Sequence, residues 1–291
     1  MLNKEKKPLW FQKALKETKS EHQITVDGSK IFYQKWGNKN NPGIVLVHGS
    51  GGHSHWWDFI APSFLDNYSV VAMDLSGMGN SGHRSHYSQD LYALELKSVI
   101  EDVGWNDAII IAHSMSGPIS VKAASLYPNY INSLYIIDSM IVLPPDKLAA
   151  LKNSGKGMIR ADFIYKDYES AIKAFRLLPP QPVRHDFILN YIAKHSYKEV
   201  EGGWVLKSDG KIMNTYETGD LTEIFMHLGC PIYIVYGLMS QILSPGLLEY
   251  TTYVGQIPES RQIGIPGAMH HLFLDEPIIF VEELKKLLGD N

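Results

Sequence analysis

Hydrophobic and polar positions along this chain follow two alternating rhythms. Short apolar runs rich in Val and Ile recur at Gly43–Val47 (GIVLV), Ser69–Met73 (SVVAM), 107–112 (DAIIIA), 134–137 (LYII), 231–236 (PIYIVY) and near 261–265. Runs this short and this β-branched predict strands buried on both faces. Between them, 91–103, the stretch after His113 and Pro277–Leu288 carry apolar residues at helical spacing, and 56–64 (WWDFIAPSF) also predicts a helix. Near the start, 22–27 and 30–36 flank Gly28 and Ser29 and predict a hairpin.

Strands alternating with helices imply a mostly parallel sheet covered by helices on both faces, joined by right-handed crossovers. The rhythm breaks from about residue 142 to residue 220, where helical stretches (DKLAALKNS, YESAIKAFRLL, HDFILNYIAKH) surround the punctuation PPQP at 179–182. An insertion of that length is too long for a loop and predicts a small helical subdomain. The expected organisation is a core from 1–142 and 221–291 with an inserted helical cap at 143–220.

Composition narrows the function. The 291 residues suffice for a full core, and a net charge of −4 with the two signs interspersed argues against a nucleic-acid footprint. A single cysteine, Cys230, excludes an intramolecular disulfide and a cysteine-rich metal site. The first residues are basic but lack an apolar core of signal-peptide length, and no run approaches a membrane span, so a cytoplasmic enzyme without stable membrane insertion is expected. Trp10, Phe11 and Leu15 beside lysines suit an amphipathic arm packed on its own domain or on a second copy of the chain, which leaves a homo-oligomer open.

Three loops carry candidate chemistry. After 107–112 comes His113-Ser114-Met115-Ser116, a strand passing into a helix with one serine at the apex and small residues, Ala112 and Ser116, on either side. Such a turn lifts the serine oxygen clear of the sheet and leaves the Met115 N–H facing whatever the serine attacks. Taken by itself the pattern also fits a serine capping a buried helix. The loop 48–57 (HGSGGHSHWW) follows the first parallel strand, at the carboxyl edge where such sheets bind ligands. Its His48, His53 and His55 lack a carboxylate or cysteine at metal-ligand spacing, so no metal is expected there. Residues 77–82 (GMGNSG) match G-x-G-x-x-G, but no helix begins inside them, and His83, Arg84 and His86 intervene before the next helical signal. That argues against a dinucleotide site.

Taken together, these features resemble the α/β-hydrolase family. The serine turn resembles its nucleophile elbow, with Ala112 and Ser116 where glycines are usual, and 74–82 (DLSGMGNSG) resembles a structural loop of the same fold. The resemblance implies Ser114 as nucleophile, the amides of Ser50 and Met115 as the oxyanion hole, and His270, seven residues before Pro277, as general base rather than His271. Epoxide hydrolases and haloalkane dehalogenases of this fold place an aspartate at the elbow, and the serine here sets the chain apart from them. The usual acid loop departs from the pattern. It reads GLMSQILSP, with Ser240 and Gln241 where the carboxylate would fall, and Glu249 lies too far along. Asp138, at the end of the preceding core strand, is where some relatives draw their acid, although Asp is also common at strand ends as a turn residue. The implied activity is metal-free, cofactor-free hydrolysis of a small, largely apolar carboxylic ester or lactone through an acyl-enzyme. Carbon–carbon bond hydrolysis of a diketone and slow-turnover ligand binding stand as alternatives. Trp204, Phe163, Tyr165 and Phe175 are candidate pocket walls.

Overall fold

The structure, a computed structural model, describes residues 7–38, 40–147 and 163–290. Twelve strands occur among these residues. They are β1 (Lys19–Val26), β2 (Ser29–Trp36), β3 (Gly43–Val47), β4 (Ser69–Met73), the two-residue β5 (Tyr87–Ser88), β6 (Ala108–His113), β7 (Ile131–Ile137), β8 (Tyr197–Val200), β9 (Gly203–Leu206), β10 (Tyr216–Glu217), β11 (Ile232–Gly237) and β12 (Gln262–Ile265). Eight of them form one sheet in the order β1-β2-β4-β3-β6-β7-β11-β12. From β4 to β12 every neighbouring pair is parallel, and β1–β2 add an antiparallel hairpin at one edge. The hairpin turns through Asp27 and Gly28, both at positive φ, the conformation a two-residue turn needs to match strand twist.

Both faces of the sheet are covered, which is why its strands read as unbroken apolar runs. Val45, Val47, Ile110, Ala112, Leu134 and Ile136 bury one face beneath helices Gln89–Asp102 and Ser116–Leu126, through Tyr92, Leu96, Val99 and Ile119. Their strand neighbours Ile44, Leu46, Ile111, Tyr135 and Ile137 bury the other beneath Trp57, Phe64, Phe273 and helix Pro277–Leu288. At roughly 1.5–3 kcal/mol for each fully buried large apolar side chain, this two-sided packing is the main force fixing the strand ends that carry the chemistry.

Two expectations are corrected. Residues 56–64 do not form an α-helix but lie in two 3₁₀ turns, Ser54–Trp57 and Ala61–Phe64. Pro62 interrupts the stretch, because it has no N–H to donate and its ring crowds the preceding turn. The insertion between β7 and β11 is not wholly helical either. Helices Tyr168–Ala174 and Asp186–His195 are present, but β8 and β9 form an antiparallel hairpin around Glu201 and Gly202, and Tyr165 bridges to Trp204 through two backbone hydrogen bonds of 2.8 Å. The predicted helix in DKLAALKNS lies outside the described residues beyond Lys147.

The N-terminal arm packs on its own chain. Helix Leu9–Ala14 buries Phe11 completely, with its ring 5.5 Å from Phe59 of the core and 4.9 Å from Phe187 of the insertion. Among the described residues no helix is long and apolar enough to cross a membrane.

Candidate active site

The site is assembled from the carboxyl ends of β3, β6, β7 and β11 and from the loop after β12. At the end of β6 the backbone turns sharply, and Ser114 has φ +55°, a left-handed conformation that costs a non-glycine residue energy and persists only when its surroundings enforce it. They do. The Ser114 N–H donates to Ile137 O at 2.9 Å, and Ser114 O accepts from Gly117 N–H at 2.9 Å and from the Ser139 hydroxyl at 2.5 Å. The small flanking residues have reasons of their own. Ser116 is fully buried, and its hydroxyl lies 2.8 Å from His48 O, 2.8 Å from His113 O and 3.0 Å from Val47 O, so its one proton ties the serine turn to the loop after β3. A side chain at Gly49 would place Cβ 2.9 Å from Ser114 Cβ, so only glycine lets the two loops approach this closely.

Ser114, His270 and Asp138 form a hydrogen-bonded chain. His270 Nε2 is 3.0 Å from Ser114 Oγ, and His270 Nδ1 is 2.9 Å from Asp138 Oδ1. The carboxylate fixes the tautomer. With Nδ1–H donating to Asp138, Nε2 presents its lone pair to the serine hydroxyl. Asp138 ends β7 at φ +44° and is fully buried, and its carboxylate also accepts from Gly237 N–H at 3.0 Å and from the Ser240 hydroxyl at 2.7 Å. Ser240, which stands where a carboxylate was sought, is thus a donor to the carboxylate that is present.

The loop bearing His270 is held from both sides. Asp275 accepts from Met269 N–H at 2.8 Å and from the Gln181 side-chain amide at 2.9 Å, while Gln181 Oε1 accepts from His271 N–H at 3.0 Å. Gln181 belongs to the PPQP segment of the insertion, and no sequence signal linked it to the histidine. Arg184, three residues on, donates to Gly267 O at 2.5 Å and pairs with Glu276. His271 faces away from the serine, with Nε2 3.2 Å from Pro179 O. Burial, and next the adjacent His270, push its pKa down to about 3, which keeps it neutral.

Among the described residues neither the Ser50 nor the Met115 N–H donates a hydrogen bond, so both stay free for a ligand oxygen. His48 is buried and structural. Its Nδ1–H donates to Gly49 O at 2.7 Å, its Nε2 accepts from Leu75 N–H at 3.1 Å, and burial lowers its pKa. His53 bonds Ser196 and His55 bonds Asp58, separate partners that leave the three loop histidines without a common centre. A different trio, His113, His270 and His271, places ring nitrogens within 4.8 Å of one another. Both His270 nitrogens are engaged, and His113 and His271 have one unpartnered nitrogen each, fewer than the three or four ligands a zinc site uses. In the glycine-rich loop, Asp74 accepts from Ser54 N–H and Asn80 N–H at 2.5 and 2.7 Å, and Ser81 joins Asp74 O to Phe32 N–H. The loop is a brace, and the next helix starts only at Gln89.

Two cavities adjoin these loops, one bordered by Ser50 and the other by His270. One, of about 360 Å³, is lined by Ser50, Gly51, Trp56 and residues of the insertion that include Tyr165 and Phe175. The other, of about 230 Å³, is lined by His270, Gln241, Met239 and Pro179–Pro182. Trp204 is not part of either wall and instead packs on Tyr168 with ring centroids 4.4 Å apart, while Phe163 is exposed.

A twisted, mostly parallel sheet with a serine turn and a histidine at its carboxyl edge defines the α/β-hydrolase class. The model of the alpha/beta hydrolase fold family matches residues 42–277, and the chain belongs to that family. It is 25% identical over 209 residues to a serine hydrolase-like protein of Danio rerio, across 68% of this chain. The matched part is 64% of that relative, under two thirds of its length. It is 24% identical over 278 residues to 2-(acetamidomethylene)succinate hydrolase of Mesorhizobium japonicum, across 92% of this chain and 96% of the relative. The solved structure of E-2-(acetamidomethylene)succinate hydrolase shares the fold at TM-score 0.77 and 21% identity, covering 94% of this chain and all of that one.

Proposed function

We propose that this hydrolase cleaves a small, largely apolar carboxylic ester or lactone through a serine acyl-enzyme, with residues 143–220 forming a cap over the site. The observation that carries the reading is the chain Ser114–His270–Asp138, with spacings of 3.0 and 2.9 Å. His270 Nε2 takes the Ser114 proton as the oxygen attacks the carbonyl, and the imidazolium so formed is stabilised by Asp138 across Nδ1–H. The Ser50 and Met115 amides receive the oxyanion. The latter stands at the head of helix Ser116–Leu126, where backbone dipoles favour negative charge. His270 then protonates the leaving oxygen, and water, activated by the same imidazole, clears the acyl-enzyme.

A slow ligand-binding protein gained its support from the acid missing at Ser240 and Gln241. With Asp138 hydrogen-bonded to His270, that support is gone. The test is a fluorophosphonate probe together with steady-state turnover of p-nitrophenyl butyrate. Labelling and turnover are expected in wild type, and both are lost in Ser114→Ala, turnover by roughly 10⁴-fold or more. Labelling that persists in Ser114→Ala removes the nucleophile. A burst of acylation without turnover returns the binding protein, and no reaction with esters leaves diketone cleavage.

A further inference from the structure

We infer that the acyl part of the substrate ends in a carboxylate that seats against Arg176, a deepening that rests on the ester-hydrolase reading above. The cavity beside Ser50 is lined mainly by apolar or aromatic side chains, among them Trp56, Phe175, Leu177 and Leu206, and Arg176 is its only charged wall residue among those described. Arg176 is solvent-exposed, so water solvates its charge until a ligand takes that water's place, and it is the one charge beside an otherwise apolar lining. Its Nη1 donates to the carbonyls of Lys173 and Phe175 at 2.8 and 2.7 Å, which fixes the guanidinium at the end of helix Tyr168–Ala174 and leaves Nε and Nη2 as donors.

The other described arginines are matched. Arg84 pairs with Glu95, Arg184 pairs with Glu276, and Arg261 lies over the Tyr233 ring at 5.4 Å. Among the described arginines, Arg176 alone pairs with neither a carboxylate nor an aromatic face. Tyr165 and Tyr197 share the cavity wall with it, their rings 5.6 Å apart, so a guanidinium and two phenols are grouped in a lining that is otherwise apolar. A planar carboxylate is the ligand that such a fork and adjacent hydroxyls hold best.

The two cavities indicate which part of the substrate carries the anion. His270, which protonates the leaving oxygen in the ester reading, lines one cavity, so the leaving group is placed there and the acyl chain in the other, beside Ser50. A volume of about 360 Å³ is at the small end of ligand pockets and suits a short chain.

The experiment compares mono-p-nitrophenyl glutarate with p-nitrophenyl valerate, which match in length and differ in charge. In wild type at low ionic strength kcat/KM for the glutarate ester should exceed that for the valerate ester by roughly tenfold, and the ratio should shrink with added salt. Arg176→Gln should bring the ratio to about one or below, and Arg176→Lys should keep part of it. A binding measurement separates this inference from the hydrolase reading. Glutarate should bind Ser114→Ala by calorimetry and fail to bind Ser114→Ala/Arg176→Gln. Equal rates for the two esters, or a ratio unchanged in Arg176→Gln, overturns the inference while leaving the ester reading intact. Glutarate binding that depends on Arg176, in a protein that turns over neither ester, upholds the anion site and removes the ester reading instead.

Discussion

The Ser240 hydroxyl donates to Asp138 Oδ1 at 2.7 Å, the same oxygen that accepts the His270 Nδ1–H. The strand end that lacks an acid therefore still serves the acid, by orienting one supplied from β7. Gly237 contributes the third bond, and it can do so only as glycine, since Cβ there would lie 2.3 Å from Met269 O and push against the loop that carries His270.

Replacing Asp138 by Asn should leave the fold intact, because the side chains are nearly isosteric, while cutting kcat by up to about 10⁴-fold through the wrong histidine tautomer. Ser240→Asp in that background should recover at least part of the loss, because position 240 already reaches the carboxylate site, whereas Gln241→Asp should not, because Gln241 is exposed. Ester turnover with a thermal melt on each variant checks this. Full activity in Asp138→Asn would refute the role given to the aspartate.

Of the adjacent histidines, His270→Ala should abolish ester turnover and His271→Asn should keep it within about tenfold, because His271 touches Pro179 O and not the serine. The opposite ranking in steady-state assays would move the base by one residue.

Gly49→Ala should lower kcat by roughly 10²-fold with little change in KM. The added methyl forces the Ser50 loop away from Ser114, and under the proposed function the Ser50 amide is an oxyanion donor, which acts in the transition state rather than in substrate binding. A smaller folded fraction would also lower apparent kcat without changing KM, so the prediction holds only if a thermal melt and fluorophosphonate titration show the variant fully folded. A proportional rise in KM with kcat unchanged would instead place the loss in substrate binding.

Acid should destabilise the protein over a defined range. His48, His53, His113, His195 and His271 are all held neutral chiefly by burial, the last two with pKa values lowered to about 3. The unfolded chain protonates these rings near their ordinary value while the folded protein does not. Stability is therefore highest above about pH 6.5 and declines from there towards pH 3, each neutral histidine adding a slope of up to about 1.4 kcal/mol per pH unit. Urea unfolding at a series of pH values measures this slope, and a flat profile between pH 6.5 and 4 would contradict it.

The core was legible because its strands are buried on both faces, and unbroken Val and Ile runs such as Gly43–Val47 leave no other assignment. Ser114 was legible because it sits in a local pattern, an apical serine between small residues, whereas His270 was legible only through the family resemblance, which places a histidine seven residues before the proline of the closing helix. Asp138 was reachable only through an absence, the acid missing from 237–245, since an aspartate at a strand end looks like any turn residue. The β8–β9 hairpin was missed although Gly202-Gly203 marks it, because the surrounding helical stretches dominated the reading. Gln181 left no trace at all, because its partners lie some 90 positions away and hydrogen bonds between distant loops have no periodicity.

That glutamine has a consequence for any attempt to redesign this protein. The strip from Leu177 to Pro182 supplies walls to both cavities and, through Gln181, also grips the backbone of the histidine loop. Under the proposed function, selectivity and turnover are thus mechanically coupled. A chimera that exchanged residues 143–220 for those of a relative would change what enters and also loosen the proton carrier, unless a side chain equivalent to Gln181 came with it.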